Sequence, residues 1–169
     1  MKYLFYIFLS SSLFSCAHNE STIETVSPKQ EVAEVIDSNM LASPQEMIDN
    51  DLLADGSKPI AWSAAGINDP NQLKIFIKFI RFWVEKGNVD SIAAHIAYPL
   101  THPNIKSSSD FIKNYHQYFN SKVINALHNQ KLPQIYRNNK GARIGNGELW
   151  INNISKENIE EFKITAINN

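Results

Sequence analysis

An α+β fold is predicted for this chain, with N-terminal helices packed on a curved antiparallel sheet. Three observations carry that expectation. Apolar residues recur at helical spacing from Leu73 to Val84, capping signals open several shorter segments, and beyond Pro133 the apolar period falls to about two. Helices first and antiparallel strands afterwards is the order of an α+β domain, not of alternating βα units.

The helical elements follow in chain order. Ser43-Pro44-Gln45-Glu46 has a capping serine, a proline suited to the first helical position and a glutamate that completes a capping box. Met47, Ile48, Leu52 and Leu53 form its apolar side, and this short helix either docks on the body or stays with the segment before it. Asp69-Pro70-Asn71-Gln72 is a stronger start, because Asp69 caps and Pro70 is pre-set for the first turn. Leu73, Phe76, Ile77, Ile80, Trp83 and Val84 then make a broad apolar face, widened by Ile75, Phe79 and Phe82. Such a helix is expected to lie deep, with Trp83 in the core; Lys74, Lys78 and Arg81 form a stripe that is a solvated face by default or else meets an acidic partner. Lys86-Gly87 ends it, glycine suiting a left-handed cap.

Asn88 caps a second, shorter helix through Ile92, Ala93, Ile96 and Ala97, stopped before Pro99. Tyr98 to Ile105 holds two prolines and reads as an edge strand or a loop. Ser107-Ser108-Ser109-Asp110 opens a third helix carrying Phe111, Ile112, Tyr115, Tyr118 and Phe119. Asn120 or Ser121 caps a fourth with Val123, Ile124 and Leu127. Gln134 to Arg137, Ala142 to Asn152 and Phe162 to Asn168 read as strands, with Asn138-Asn139-Lys140-Gly141 as a turn.

Charge divides the chain. From Ala17 to Gly56 nine acidic residues face one basic residue, a net of −8, whereas Ser57 to Asn169 carries fourteen basic and eight acidic residues, a net of +6. The acidic stretch has no aromatic residue, and its like charges favour extension; Ala17 to about Asn39 is expected to be a flexible spacer. Ahead of it, Lys2 precedes the short apolar run Tyr3 to Leu9, three serines follow, and Leu13-Phe14-Ser15-Cys16 contains the one cysteine. An apolar run so short falls well below the ~20 residues needed to span a bilayer, and a lone cysteine has no intramolecular disulfide partner. This passage resembles a bacterial lipoprotein signal peptide. The resemblance implies cleavage before Cys16 and acylation (palmitate included) on it, which anchors the chain firmly, since each buried methylene adds about 0.8 kcal/mol. Ala17 in place of aspartate implies the outer membrane, facing the periplasm, in a Gram-negative cell. The expected organisation is a signal at 1–15, an acylated cysteine and acidic tether at 16–56, and an α+β domain at 57–169.

Three passages of the body carry a second resemblance. These are Phe82-Trp83-Val84-Glu85-Lys86-Gly87-Asn88 closing the long helix, Tyr98-Pro99-Leu100 with Ser109-Asp110-Phe111, and the late Gly145-Asn146-Gly147-Glu148-Leu149-Trp150. In order and texture, residues from about Ile67 to Asn169 resemble a small cystatin-like or NTF2-like domain. That resemblance implies a sheet wrapped round the long helix as a cone. The fold hosts enzymes, ligand binders and interaction modules alike, so the residues must decide.

Two residues are weak catalytic candidates. His95 lies beside Ile92 and Ile96, with His102 seven residues on; such a pair serves proton transfer if both face one cavity, and otherwise a packing histidine and a loop histidine. Glu148 reads as a strand carboxylate sharing a face with Trp150, where burial raises its pKa for general acid work; the alternative is a surface pair with Arg143 or Arg137. No spacing of His, Cys, Asp and Glu suits a metal, so neither metal nor cofactor is expected. Gly141, Gly145 and Gly147 lack the helix and Lys-Ser/Thr pair of a phosphate loop and fit sheet bulges better. The mild, dispersed charge of the body argues against nucleic acid. Trp62, Tyr98, Tyr136, Arg143 and Trp150 are of the types that anchor interfaces, and Tyr98, Arg143 and Trp150 are the binding candidates.

The functional expectation is a non-enzymatic envelope lipoprotein whose body binds a protein partner, in an interaction, inhibitor or immunity role. The alternative is a small-ligand binder or proton-shuttling enzyme that uses the cone interior, through His95, Tyr98, Glu148 and Trp150.

Overall fold

A computed structural model describes residues 43–101, 103–156 and 159–169. Cys16, the apolar run before it, most of the acidic tether and His102 therefore lie outside the described residues. Among the described residues no helix is long and apolar enough to cross a membrane.

The fold is α+β. Among the described residues six α-helices come first: α1 (Pro44–Met47), α2 (Pro70–Glu85), α3 (Val89–Ala94), α4 (Ser108–Lys113), α5 (Tyr115–Tyr118) and α6 (Ser121–Asn129). Four strands follow: β1 (Tyr136–Asn138), β2 (Gly141–Ile144), β3 (Leu149–Lys156) and β4 (Ile159–Ile167). They pair as one antiparallel meander in the order β1-β2-β3-β4.

The caps read from the sequence are made. Asp69 accepts hydrogen bonds from the amides of Asn71 and Gln72, Asn88 from Ser91, and Ser107 from Asp110. Asn120, not Ser121, caps α6, accepting from Lys122 and Val123. Ser43 and Glu46 close a reciprocal capping box on the single turn of α1. Residues 98–101 and 103–105 form no named strand; they hold a cis peptide at Tyr98–Pro99 and one isolated bridge between Leu100 and Ile105. The expected third helix divides at Asn114 into α4 and α5, and the expected strand from Ala142 to Asn152 is two strands with a turn at 145–148.

One face of the sheet is covered. Ala142, Ile144, Leu149, Ile151, Ile164 and Ile167 are buried together with Leu73, Phe76, Ile77 and Ile80 of α2. Phe111, Tyr115, Tyr118 and Phe119 continue this core as stacked and edge-on pairs, a geometry that adds about 0.5–1.5 kcal/mol per pair beyond burial. Trp83 is not at its centre: it is half-buried and stacks on Phe79 and on His95 at the margin.

Contacts across the fold settle what charge left open. Residues 43–56, grouped with the tether by charge, dock on the body. The amide of Asn50 donates to the carbonyl of Pro133 at 2.9 Å, that of Leu53 donates to Ser57 at 2.8 Å, and the Leu53 side chain is buried. The polar stripe of α2 is not solvated. Lys74 is 0% exposed, donates to the Met47 carbonyl at 2.8 Å and lies 2.7 Å from Asp49 Oδ1, an ion pair without hydrogen-bond alignment. Lys78 meets Glu46 at 3.3 Å. Arg81 donates to the last carbonyls of α6, to Leu127 at 2.9 Å and to Gln130. Residues 43–56 thus form a strap whose carboxylates neutralise cations that α2 would otherwise bury alone.

Candidate functional site

The sheet's register builds the site. Tyr136 of β1 pairs with Arg143 of β2, and Arg143 pairs with Trp150 of β3. Directly opposed residues point to the same side of a sheet. The three therefore form a rung on the face opposite to Ala142 and Ile151, which are buried against the helices. The Arg143 guanidinium lies over the Tyr136 ring, 3.9 Å from its centroid. That is a cation–π contact, worth about 0.5–2 kcal/mol according to solvation. Gly147 holds φ +113, a backbone that favours glycine, and a Cβ there would only make ordinary contact with Arg143 Cδ (3.7 Å) and Trp150 Nε1 (3.5 Å).

This rung floors two recesses of about 510 and 450 Å³. Arg143, Lys122, Asn146 and Glu148 line both; Trp150 and Asn168 complete the smaller, Tyr136 and Asp55 the larger. The wall of the larger recess is one face of α6, formed by Lys122, Asn125, Ala126 and Asn129 at helical spacing. Gln130 ties that wall to the floor, its Oε1 accepting from the amide of Gly145 at 2.9 Å.

Charge in the groove is unbalanced. Among the described residues Lys122, Lys131 and Arg143 form no ion pair. Both groove carboxylates are engaged locally. Glu148 Oε2 accepts from the amide of Asn146 at 2.6 Å, and Asp55 Oδ1 accepts from the amide and hydroxyl of Ser57 at 3.0 and 2.6 Å. The Ser57 hydroxyl and amide hold Asp55 below its usual range, and the charge of Arg143 adds only a little. Arg143 Nε is buried and has no hydrogen-bond partner.

The candidates expected from sequence separate accordingly. Arg143, Glu148 and Trp150 share the groove, but Glu148 sits in the turn before β3, not in a strand, and its carboxylate closes that turn. His95 ends α3; its Nδ1 lies 2.8 Å from the Ser91 carbonyl, and its ring stacks on Trp83 with centroids 4.6 Å apart. Tyr98 is half-buried in the loop after α3, its hydroxyl without a well-formed hydrogen bond although Ser108 lies close enough to favour the phenolate slightly. Burial pushes its pKa up to about 12. Neither His95 nor Tyr98 lines the groove. Trp62 instead donates to Asp49 Oδ2 at 2.6 Å and carries the Arg137 guanidinium 3.8 Å over its ring, so it belongs to the strap's attachment.

The α6 face was missed by sequence reasoning, although Lys122, Asn125, Ala126 and Asn129 stand at i, i+3, i+4 and i+7, a polar-to-small stripe opposite Val123 and Leu127. Among the described residues no group of three or more His, Cys, Asp or Glu side chains is arranged to hold a metal ion. Comparison with family models, curated proteins and solved structures yields no match. Fold and site together define a class, an α+β domain with an open groove lined by three cations, Lys122, Lys131 and Arg143, and two carboxylates, Asp55 and Glu148.

Proposed function

We propose that this chain is a lipoprotein of the bacterial envelope, held by acyl groups on Cys16, whose body acts by binding a partner protein in the periplasm. The address rests on the Leu13-Phe14-Ser15-Cys16 pattern and on Ala17, which favours the outer membrane. One observation carries the mode of action: the sheet's inner face is closed by buried aliphatic and aromatic side chains, and the rung Tyr136, Arg143 and Trp150 faces an open groove on the other side. Tyr, Trp and Arg are the residues that most often dominate interface energetics. Proton shuttling through a cone receives no such support, because His95 and Tyr98 stand apart from Glu148 and the groove.

Two measurements test the proposal with the full chain. Cys16→Ser is expected to move the protein from the membrane fraction to the soluble fraction; unchanged membrane association overturns the anchor. Wild-type protein in detergent, cross-linked to envelope extract, is expected to give a defined adduct that Tyr136→Ala with Trp150→Ala removes. An adduct that survives both substitutions places the interface elsewhere.

A further inference from the structure

We infer that the groove is an oxyanion site, with Arg143 as the residue that receives a carboxylate or phosphate group of the ligand. The inference rests on the binding role proposed above and names the chemistry that the groove accepts. Arg143 presents a rigid fork of N–H donors suited to two oxygens at once. The ring of Tyr136, 3.9 Å from the guanidinium carbon, limits its movement, so less freedom is left to lose on binding. Its Nε–H is out of water and unpartnered, so the donor capacity of the guanidinium is not spent within the protein. Lys122 and Lys131 line the same recess without ion pairs, so with Arg143 it holds three cations against the two carboxylates of Asp55 and Glu148. Asn125 and Asn129 supply amides for the polar remainder of such a ligand. A neutral apolar ligand would leave these donors dry and unpaired, which the chemistry disfavours.

The test is a titration of the ¹⁵N-labelled full chain in a neutral detergent with inorganic phosphate and, separately, acetate, at constant ionic strength made up with chloride. A saturable shift of the Arg143 Nε–H and Trp150 Nε1–H resonances is expected with at least one probe. Tighter binding of phosphate assigns the site to a phosphoryl group, and tighter binding of acetate to a carboxylate. Arg143→Gln is expected to weaken binding at least about tenfold, about 1.4 kcal/mol, and Arg143→Lys to fall between that variant and wild type. Lys122→Gln, outside the rung, is expected to weaken it roughly threefold through lost charge. Unchanged Trp62 and Trp83 indole resonances report that the variants are folded. No saturable shift with either probe, or an equal shift in Arg143→Gln, overturns the inference. A cross-linked adduct that persists while the titration is silent rejects the oxyanion site alone. Anion binding without an adduct rejects the protein partner and keeps the site.

Discussion

Asp49 and Lys74 are twenty-five positions apart in the chain and meet at 2.7 Å, with the lysine side chain 1% exposed. Asp49 also accepts from the Trp62 indole at 2.6 Å and faces Arg137 at 3.4 Å, so one carboxylate serves two buried cations. Removing it leaves both uncompensated. Asp49→Ala is expected to destabilise the fold by about 3–5 kcal/mol, the cost of an orphaned buried charge. Lys74→Met removes one of those charges, and combined with Asp49→Ala it is expected to recover much of that loss. Urea unfolding of the two single variants and the double variant gives the coupling; additive effects reject the pairing.

Arg81 holds the end of α6 against α2. Its guanidinium donates to the carbonyls of Leu127 and Gln130, which the helix itself cannot satisfy. Arg81→Gln is expected to cost about 1–3 kcal/mol and to speed amide exchange in the last turn of α6. Exchange unchanged there would show that the contact does not hold that turn.

Tyr98 makes stability depend on pH in the alkaline range. Burial raises its folded pKa to about 12 from an ordinary 10.0. The folded state therefore holds the phenolic proton more tightly than the unfolded chain. Its contribution is complete below the unfolded value and is lost as pH rises through the folded one. Denaturant midpoints measured from neutral pH towards 12 should fall less steeply for Tyr98→Phe. Tyr115, also raised by burial, keeps part of the slope. At neutral pH the same variant is expected to lie within about 0.5 kcal/mol of wild type, because the hydroxyl it removes has no well-formed partner.

Gly145 and Gly87 both adopt left-handed backbone, at φ +61 and +64, yet only one is crowded. A Cβ at Gly145 would collide with Glu148 Oε2 and lie 2.7 Å from the Ala126 Cβ, whereas nothing stands within 4 Å at Gly87. Alanine at Gly87 is expected to cost about 1 kcal/mol, from backbone strain. At Gly145 the collision adds about 1–3 kcal/mol and forces α6 away from the turn that it walls. Equal thermal shifts for the two variants would contradict this.

Local signals in the sequence carried over well, because caps and periodicity depend on residues a few positions apart. Asp69, Asn88, Ser107 and Asn120 each cap the helix read from them. Arg143 and Trp150 were picked out by residue type alone, and the strand register sets them side by side in the groove. Partnership between distant segments was not legible. Net charge made residues 43–56 read as tether and Lys74 as solvated, because composition cannot tell repulsion along a segment from attraction across to another. A finer sign was present: Glu46 and Asp49, three apart, match Lys78 and Lys74, four apart, as two stripes of opposite charge. The rung needed the strand register, which changes every facing pair when it slips by one.

β1 is three residues long, and its first two side chains look in opposite directions. Tyr136 faces outward beneath Arg143; Arg137 faces inward, donating to the Ile60 carbonyl at 2.7 Å and meeting Asp49 of the strap. The strand therefore ties the strap on one side to the groove floor on the other. Displacing Asp49 would strip Arg137 of its ion pair, and the residue beside it is the tyrosine on which the groove's arginine rests.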